Sequence, residues 1–173
     1  MVAVSLKKKL DRLLDYRADV GVLAQVFRDK RFVSVPYSEH PVLIFCAATH
    51  RFARRRTVRT SELKGERFLM REPGSTTRKA LESALAAAGI EPEIVMEIAS
   101  REIIRAAVSQ GLGIAAVSEA EYVPGPGLHA VRISDAAIHT YAHAVCLAER
   151  QDMRMVREFF DVIAGGARTS PGG

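Results

Sequence analysis

The chain has 173 residues, of which 48% are hydrophobic and 26% charged, and this composition excludes a disordered chain. Its net charge of +5 permits weak attraction to nucleic acid or to acidic ligands, but it demonstrates neither. No apolar run approaches the roughly 20 residues that span a bilayer, and no secretory signal precedes the first helix. We therefore expect a cytoplasmic protein that does not associate with a membrane.

The N-terminal part is predicted to form one helix and three strands. Leucines at helical spacing predict an amphipathic helix from Ser5 to Asp15. Apolar runs then predict strands at Val20–Leu23, at Phe32–Tyr37, which ends near Pro36, and at Pro41–Ala47. The last of these has the continuous apolar character of a fully buried strand.

Five arginines fall between Arg51 and Arg59. We interpret this segment as a solvated surface loop. A nucleic-acid contact is the alternative, but no recognisable reading helix accompanies the arginines. A short helical turn is predicted at Thr60–Leu63, just before the most regular part of the chain.

Residues from Arg67 to Val117 repeat one unit. Each unit has a short apolar strand, a serine-led helix start, an alanine-rich helix and a glycine stop. The predicted elements, in order, are a strand at Arg67–Glu72, a loop at Pro73–Thr77, a helix that follows it through Ala88, a strand at Glu93–Ile98, a helix at Arg101–Gln110 and a third strand at Gly113–Val117. Such alternation predicts a parallel sheet with right-handed crossovers.

The two helix starts predict a binding site for a small anion. In a parallel sheet both starts lie at the carboxyl ends of strands, where open α/β sheets bind ligands. Helix N-termini carry unpaired backbone N–H groups and a partial positive charge. Hydroxyls from Ser75, Thr76, Thr77 and Ser100 add hydrogen-bonding groups, and the nearby Arg78 and Arg101 favour an anionic ligand.

The sequence Pro124-Gly-Pro-Gly127 is the strongest break in the chain. Strands are predicted after it at Leu128–Ile133 and Tyr141–Ala148, followed by an amphipathic helix around Met155–Ile163 and a flexible tail at Gly165–Gly173. The break implies two lobes, between which the chain crosses twice. Two crossings form a hinge over a cleft.

Metal and redox chemistry are weakly indicated. The two cysteines, Cys46 and Cys146, lie in apolar runs and are interpreted as buried reduced thiols, with a disulfide or redox switch as the alternative. His139, Tyr141 and His143 share one strand face and could hold a metal, but an exposed polar face is the favoured interpretation. We therefore expect no metal and no cofactor.

Motifs for catalysis are missing. Ser75 does not lie in a GxSxG elbow, and Gly111-Leu-Gly113 follows a helix rather than a strand, so it is not a dinucleotide loop. Glu72 and Glu97 end neighbouring strands and could form a carboxylate pair, but two carboxylates alone do not define a catalytic site. No catalytic residue is assigned, and an enzyme of unknown reaction remains the alternative function.

Several short motifs occur in a characteristic order along the chain. They are Asp19-Val-Gly-Val22, His40-Pro-Val-Leu-Ile-Phe45, Glu72-Pro-Gly-Ser75, Met96-Glu-Ile-Ala-Ser100 and Val108-Ser-Gln-Gly-Leu-Gly-Ile114. In this order and spacing, from Leu10 to Ala164, the chain resembles the effector-binding domain of LysR-type transcriptional regulators.

The resemblance implies an α/β, two-lobe fold of the type 2 periplasmic-binding-protein kind. It assigns residues 1–48 and 128–164 to the first lobe, 49–127 to the second and 165–173 to a flexible tail. It also implies that a small metabolite binds in the interlobe cleft, and with the two helix starts and nearby arginines we expect an anion, a carboxylate, phosphate or phosphonate. The implied ligand-binding residues are Ser75, Thr76, Thr77, Ser100 and Arg101.

Parts of the family pattern are not matched. These are the winged helix-turn-helix, its linker helix, and the first strand, helix and strand of the first lobe, so the resemblance predicts an N-terminally truncated member. We therefore expect no sequence-specific DNA binding by this chain alone. Exposed sheet edges would favour association of the first lobes into a homodimer or higher homo-oligomer. A solute-binding protein is a further alternative.

Overall fold

The computed structural model describes residues 6–24 and 29–166. In chain order the elements are α1 (Leu6–Leu14), β1 (Val20–Leu23), β2 (Phe32–Ala47), β3 (Thr57–Val58), β4 (Arg67–Met70), α2 (Thr76–Ala87), β5 (Glu93–Glu97), α3 (Arg101–Ser109), β6 (Ala115–Ser118), β7 (Leu128–Ile133), β8 (His139–Leu147) and α4 (Arg154–Gly166), with 3-10 turns at Thr60–Leu63, Glu119–Glu121 and Ala148–Arg150. The predicted helix start at Ser5 and the tail beyond Gly166 lie outside the described residues. No helix within those ranges is long and apolar enough to cross a membrane.

Contacts group the chain into two compact units. One is formed by the residues up to Glu39 together with those from Tyr141 onward, and the other by His40–Thr140. These boundaries differ from the predicted lobe boundaries at 48/49 and 127/128, because the apolar end of β2 and the whole of β7 pair with each other inside the His40–Thr140 unit. The predicted division into functional lobes stays a prediction.

The first unit has its own small core. β1 pairs antiparallel with β8, with Val20 opposite Cys146 and Leu23 opposite His143. Leu13 of α1 packs with Leu23 in a cluster that also contains Phe32, Val145 and Leu147. The predicted helix and the strand Val20–Leu23 are confirmed.

The prediction of two separate strands around Pro36 is wrong. A single strand, β2, runs from Phe32 to Ala47 through both Pro36 and Pro41. A proline interrupts a strand only where the ladder needs its missing N–H. Pro36 is exposed, β2 is also hydrogen-bonded to β8, and its ladders with β6 and β7 begin only at Val42 and Leu43.

The second unit buries both faces of its strands. Along β2, Val42, Ile44 and Cys46 join one apolar cluster, while Phe45 joins another. Residues of β4 alternate in the same way, because successive side chains of a strand point to opposite faces. Leu81 and Leu85 of α2 fill the first cluster, and Ile104 and Val108 of α3 fill the second. The strands are therefore covered by a helix on each side.

The predicted third parallel strand is only partly correct. β4 and β5 are parallel, and Ile114 forms a parallel bridge with Phe68. The residues that follow leave this arrangement, and β6 pairs antiparallel with β2, placing Ser118 opposite Val42. This pairing satisfies backbone groups along the buried run of β2 that would otherwise lack partners.

Candidate functional site

The starts of α2 and α3 lie at one edge of the β4–β5 pair. The backbone N–H of Ile98, just after β5, donates to the carbonyl of Met70, the last residue of β4, at 2.8 Å. Both strands are parallel and end together, and each is followed by a short loop and a helix. The predicted placement of two helix N-termini at the carboxyl ends of neighbouring strands is confirmed.

Two serines cap these helices. The hydroxyl of Ser75 accepts from the N–H of Arg78 at 3.4 Å, and the hydroxyl of Ser100 accepts from the N–H of Ile103 at 3.3 Å. Ser100 also donates to the carboxylate of Glu102 at 2.8 Å. Such caps contribute about 1 kcal/mol each. Capping satisfies one of the up to four free N–H groups at a helix start, and the remaining ones are available to a ligand.

A small pocket lies beside the two helix starts, and the space in and above it, which includes open solvent at its mouth, is about 370 Å3. Its polar lining consists of Arg71, Thr77, Arg101, Arg105 and Glu121. Of the five predicted ligand-binding residues, the pocket therefore brings together Thr77 and Arg101. The other three, Ser75, Thr76 and Ser100, lie at the helix starts but are not part of its lining.

The apolar wall of the pocket comes from two strands and a helix. It consists of Phe45 of β2, Ile104 of α3, and Ala116 and Val117 of β6. Phe45 and Ile104 are each only 3% exposed. A ligand at this place would meet guanidinium groups on one side and hydrocarbon on the other.

Sequence reasoning missed most of this lining. Arg105 follows Arg101 by four residues, so the helical spacing alone puts both on one face of α3. The four-residue spacing could therefore have predicted that Arg105 lies near Arg101 at the site. Phe45 and Val117 come from β2 and β6, whose pairing joins distant parts of the chain. No local pattern in the sequence indicates that pairing.

The three arginines of the pocket differ in their partners. Arg71 holds the carboxylate of Glu72 with two hydrogen bonds of 2.8 and 2.9 Å. Arg101 donates to Glu121 at 2.6 Å. The Nε of Arg105 is buried and has no hydrogen-bond partner among the described residues. Arg71 and Arg101 each bind a carboxylate, whereas the described residues show no carboxylate bound to Arg105.

Glu72 is held in its charged form. Burial raises the pKa of Glu72, but hydrogen bonds from Arg71 and from its own backbone N–H, with the charges of Arg71 and Arg101, outweigh this effect. The pKa of Glu72 consequently lies below its ordinary value. Glu72 thus acts as a counterion inside a cationic site.

The structure gives Arg78 a role different from anion capture. Its guanidinium donates to Glu82 at 2.7 Å, to Glu97 at 2.6 Å and to the carbonyl of Arg71 at 2.7 Å. Glu72 and Glu97, the carboxylates considered for acid–base chemistry, are thus each ion-paired with an arginine. Their arrangement supports the framework of the site rather than catalysis.

The arginine-rich loop is tied to its own carboxylates. Arg51 donates to Glu66 at 2.6 Å, and Arg55 binds Glu62 with both terminal nitrogens. The guanidinium of Arg51 also lies 4.5 Å from the ring centre of the buried Phe52. These contacts agree with the interpretation of the segment as a surface loop.

The structure also bears on the two cysteines and on the candidate metal ligands. Cys46 and Cys146 are both buried and unbridged, which confirms the interpretation as buried thiols. Burial raises the pKa of Cys46 to about 11 and also raises that of Cys146. Over residues 6–24 and 29–166, no group of three or more histidine, cysteine or acidic residues is placed to hold a metal ion.

Comparison with known families gives one matching model. The model of the LysR substrate binding domain matches residues 3–168. The HTH-type transcriptional regulator CbbR of Sinorhizobium medicae is 35% identical over 108 residues, which cover 62% of this chain and 34% of that protein. The chain spans about a third of the length of the curated relatives it matches. These relatives are transcriptional regulators and not enzymes.

Solved structures agree on the fold. The regulatory domain of CcmR from Synechocystis PCC6803, in complex with 2-PG, has a TM-score of 0.80 at 20% identity and covers 98% of this chain and 83% of that one. The effector binding domain of QuiR, in complex with shikimate, has a TM-score of 0.79 at 15% identity, with coverage of 96% and 80%. These likenesses confirm the predicted α/β fold of an effector-binding domain.

Proposed function

The chain belongs to the LysR substrate-binding-domain family, and from this premise we propose that it is the ligand-sensing part of a transcriptional regulator. It binds a small anionic metabolite, a carboxylate, phosphate or phosphonate, where α2 and α3 begin. We assign the contacts to Ser75, Thr76, Thr77, Ser100 and Arg101. No cofactor takes part.

The single observation that carries this proposal is the pocket at the helix starts. It combines a threonine hydroxyl from the first turn of α2 with guanidinium groups from Arg71, Arg101 and Arg105. Helix N-termini and guanidinium groups both favour negative charge. The ligands of the two structural neighbours, 2-PG and shikimate, are anions, and they support the same class of ligand for this chain.

A thermal-shift panel tests the proposal. Shikimate, 2-PG, inorganic phosphate, small carboxylates and phosphonates are each added at saturating concentration. A ligand at 100 times its Kd stabilises the folded state by about 2.7 kcal/mol, a readily measured increase in Tm. We expect at least one anion to raise the Tm, and we expect Arg101→Ala to weaken that effect.

The matched control is Arg54→Ala, which removes the same charge from an exposed position outside the pocket. It should respond to the anion like the parent. No stabilisation by any anion, or equal responses of parent and Arg101→Ala, would contradict the proposed site.

We also propose that the chain forms a homodimer or higher homo-oligomer through its first lobes. Among the described residues β1 is an edge strand, and its Val22 is 43% exposed. Unpaired strand edges favour pairing with another chain. Exposed apolar side chains of α4, Met155 and Val162, lie in the same compact unit. Light scattering after size exclusion would contradict association if it showed a stable 18.9 kDa monomer at micromolar concentration.

We propose that the protein is cytoplasmic, since the relatives it matches are transcriptional regulators. We also propose that this chain alone binds DNA weakly and without sequence preference. The loop carrying Arg51 and Arg55 has its charge partly neutralised by Glu62 and Glu66. Contacts limited to phosphates would make binding salt-sensitive. Sequence-selective gel shifts at physiological salt would contradict this.

A further inference from the structure

Building on the proposed function, we infer that the pocket selects a ligand with one negative charge and an apolar body, and that Arg105 binds that charge. The ligand class is a small monocarboxylate. A dianion such as a dicarboxylate is bound less well.

The first argument for this inference comes from the surroundings of Arg105. Its Nε lies buried in the wall of the pocket without a hydrogen-bond partner in the described parts of the chain. A buried donor of a charged group without a partner is costly, and an anionic acceptor removes that cost. Nε itself has almost no exposed surface, so a ligand would reach Arg105 at another part of its guanidinium group, for which the described residues show no ion pair.

The position of Arg105 is constrained from two sides. Arg101 lies one helical turn before it on the same face of α3, and like charges at this spacing repel each other. The loop after β6 approaches from another direction, since a Cβ at Gly125 would lie 3.0 Å from a terminal nitrogen of Arg105. The guanidinium thus occupies space that a side chain at position 125 would take away.

Charge balance indicates a single negative charge on the ligand. Two of the three pocket arginines already hold carboxylates, Arg71 that of Glu72 and Arg101 that of Glu121. One positive charge, that of Arg105, remains without compensation. A monoanion neutralises it, whereas the second charge of a dianion would be repelled by Glu121, the one carboxylate among the residues that line the pocket.

The apolar wall indicates the rest of the ligand. Phe45 and Ile104 are almost fully buried, and Ala116 and Val117 complete the same wall. The favourable contribution here comes mainly from removing the ligand's own hydrocarbon group from water against this wall. A second polar group on the ligand would lose water here and find no partner on this wall.

The experiment uses three probes of similar size and different charge: butyramide is neutral, butyrate is a monoanion and succinate is a dianion. Each is titrated into the 15N-labelled full chain at constant pH and ionic strength, and Kd values come from the changes of NMR signals. We expect butyrate to bind more tightly than both other probes. It should also shift the side-chain Nε–H signal of Arg105, which is identified by its loss in the Arg105 variants.

Two variants isolate the role of Arg105. Arg105→Ala removes the side chain, and Arg105→Met keeps an apolar stem in case the alanine variant does not fold. In either folded variant, butyrate should bind roughly tenfold more weakly or worse, because a charge-assisted hydrogen bond is lost. The matched control Arg54→Ala removes an exposed arginine and should leave the Kd unchanged.

Equal butyrate affinity in the Arg105 variants and the parent overturns the inference, as does succinate binding at least as tightly as butyrate. If butyrate does not bind but another anion of the thermal-shift panel does, the inference falls and the proposed function stands. If no anion binds, both fall.

Discussion

Nη1 of Arg78 lies 2.6 Å from Oε2 of Glu97, so the first turn of α2 is ion-paired with the last residue of β5. The same guanidinium donates to the carbonyl of Arg71 at 2.7 Å, in the loop between β4 and α2. Only 13% of the Arg78 side chain is exposed. Arg78 thus joins the start of α2, the loop after β4 and the end of β5, and it fixes the start of α2 relative to the strand ends.

Replacing Arg78 with alanine should destabilise the fold. Hydrogen bonds to charged groups contribute about 1.5–3 kcal/mol, and Arg78→Ala leaves Glu97 and the carbonyl of Arg71 without their donor. We expect a loss of this size in the free energy of unfolding measured by urea denaturation. Lys79→Ala, at the next and exposed position, should change it by less than about 0.5 kcal/mol. Equal stabilities of the two variants would count against the role of Arg78.

Gly113 is required by a close backbone approach. A Cβ there would lie 2.5 Å from the carbonyl oxygen of Arg67, which accepts the N–H of Ile114 at 2.8 Å. Gly113→Ala should therefore lower the free energy of unfolding by about 1–3 kcal/mol, the usual cost of overpacking. Gly74→Ala is the control, because a Cβ at Gly74 meets nothing within 4 Å. A Gly113→Ala variant as stable as the control would show that β4 and Ile114 separate easily.

Much of the second unit could be predicted because its signals are local. Ser75 and Ser100 precede α2 and α3 as side-chain caps, and Gly89 and Gly111 follow the helices with φ of +68° and +76°. A cap or a glycine stop depends on only a few neighbouring residues. The sequence therefore predicted where the two helices lie along the chain, and with them the helix starts of the candidate site.

The rest depended on pairing between distant residues. Pro36 predicted a strand end, but β2 continues through it and pairs with β8 as well as with β6 and β7. The last residues of the predicted third strand belong to β6, which pairs with β2 instead of with β4. That pairing also brings Val117, which lies opposite Leu43, into the pocket wall that Phe45 lines. Contacts of this kind are set by long-range packing, which no local spacing encodes.

Glu62 should make the stability of the protein sensitive to acid. Hydrogen bonds from Arg55, and from the backbone N–H of Arg59, lower the pKa of Glu62 from 4.5 to about 2. Because the pKa is lower in the folded chain, ionised Glu62 stabilises the fold above pH 4.5, and this contribution is lost as the pH falls toward 2. Thermal unfolding between these pH values should show a smaller pH dependence for Glu62→Gln. Glu91→Gln, at an exposed position, is the control, and the same pH dependence in both variants would contradict the assignment.

Glu121 offers a test of the charge balance in the pocket. It neutralises Arg101 at 2.6 Å, and its side chain is 37% exposed, so Glu121→Gln should preserve the fold. The variant leaves two pocket arginines uncompensated instead of one, which favours a dianion. We expect the ratio of succinate to butyrate affinity to rise by roughly tenfold, the effect of one charge-assisted contact. An unchanged ratio would mean that the charge of Glu121 does not control selectivity.

The central claim is that a small anion binds at the starts of α2 and α3. The most direct measurement is a crystal structure of the chain with the anion that raises its Tm most. The account predicts ligand density beside Thr77, with the negatively charged group of the ligand within hydrogen-bonding distance of Arg101 or Arg105. A well-ordered ligand bound elsewhere, with this pocket empty, would contradict it.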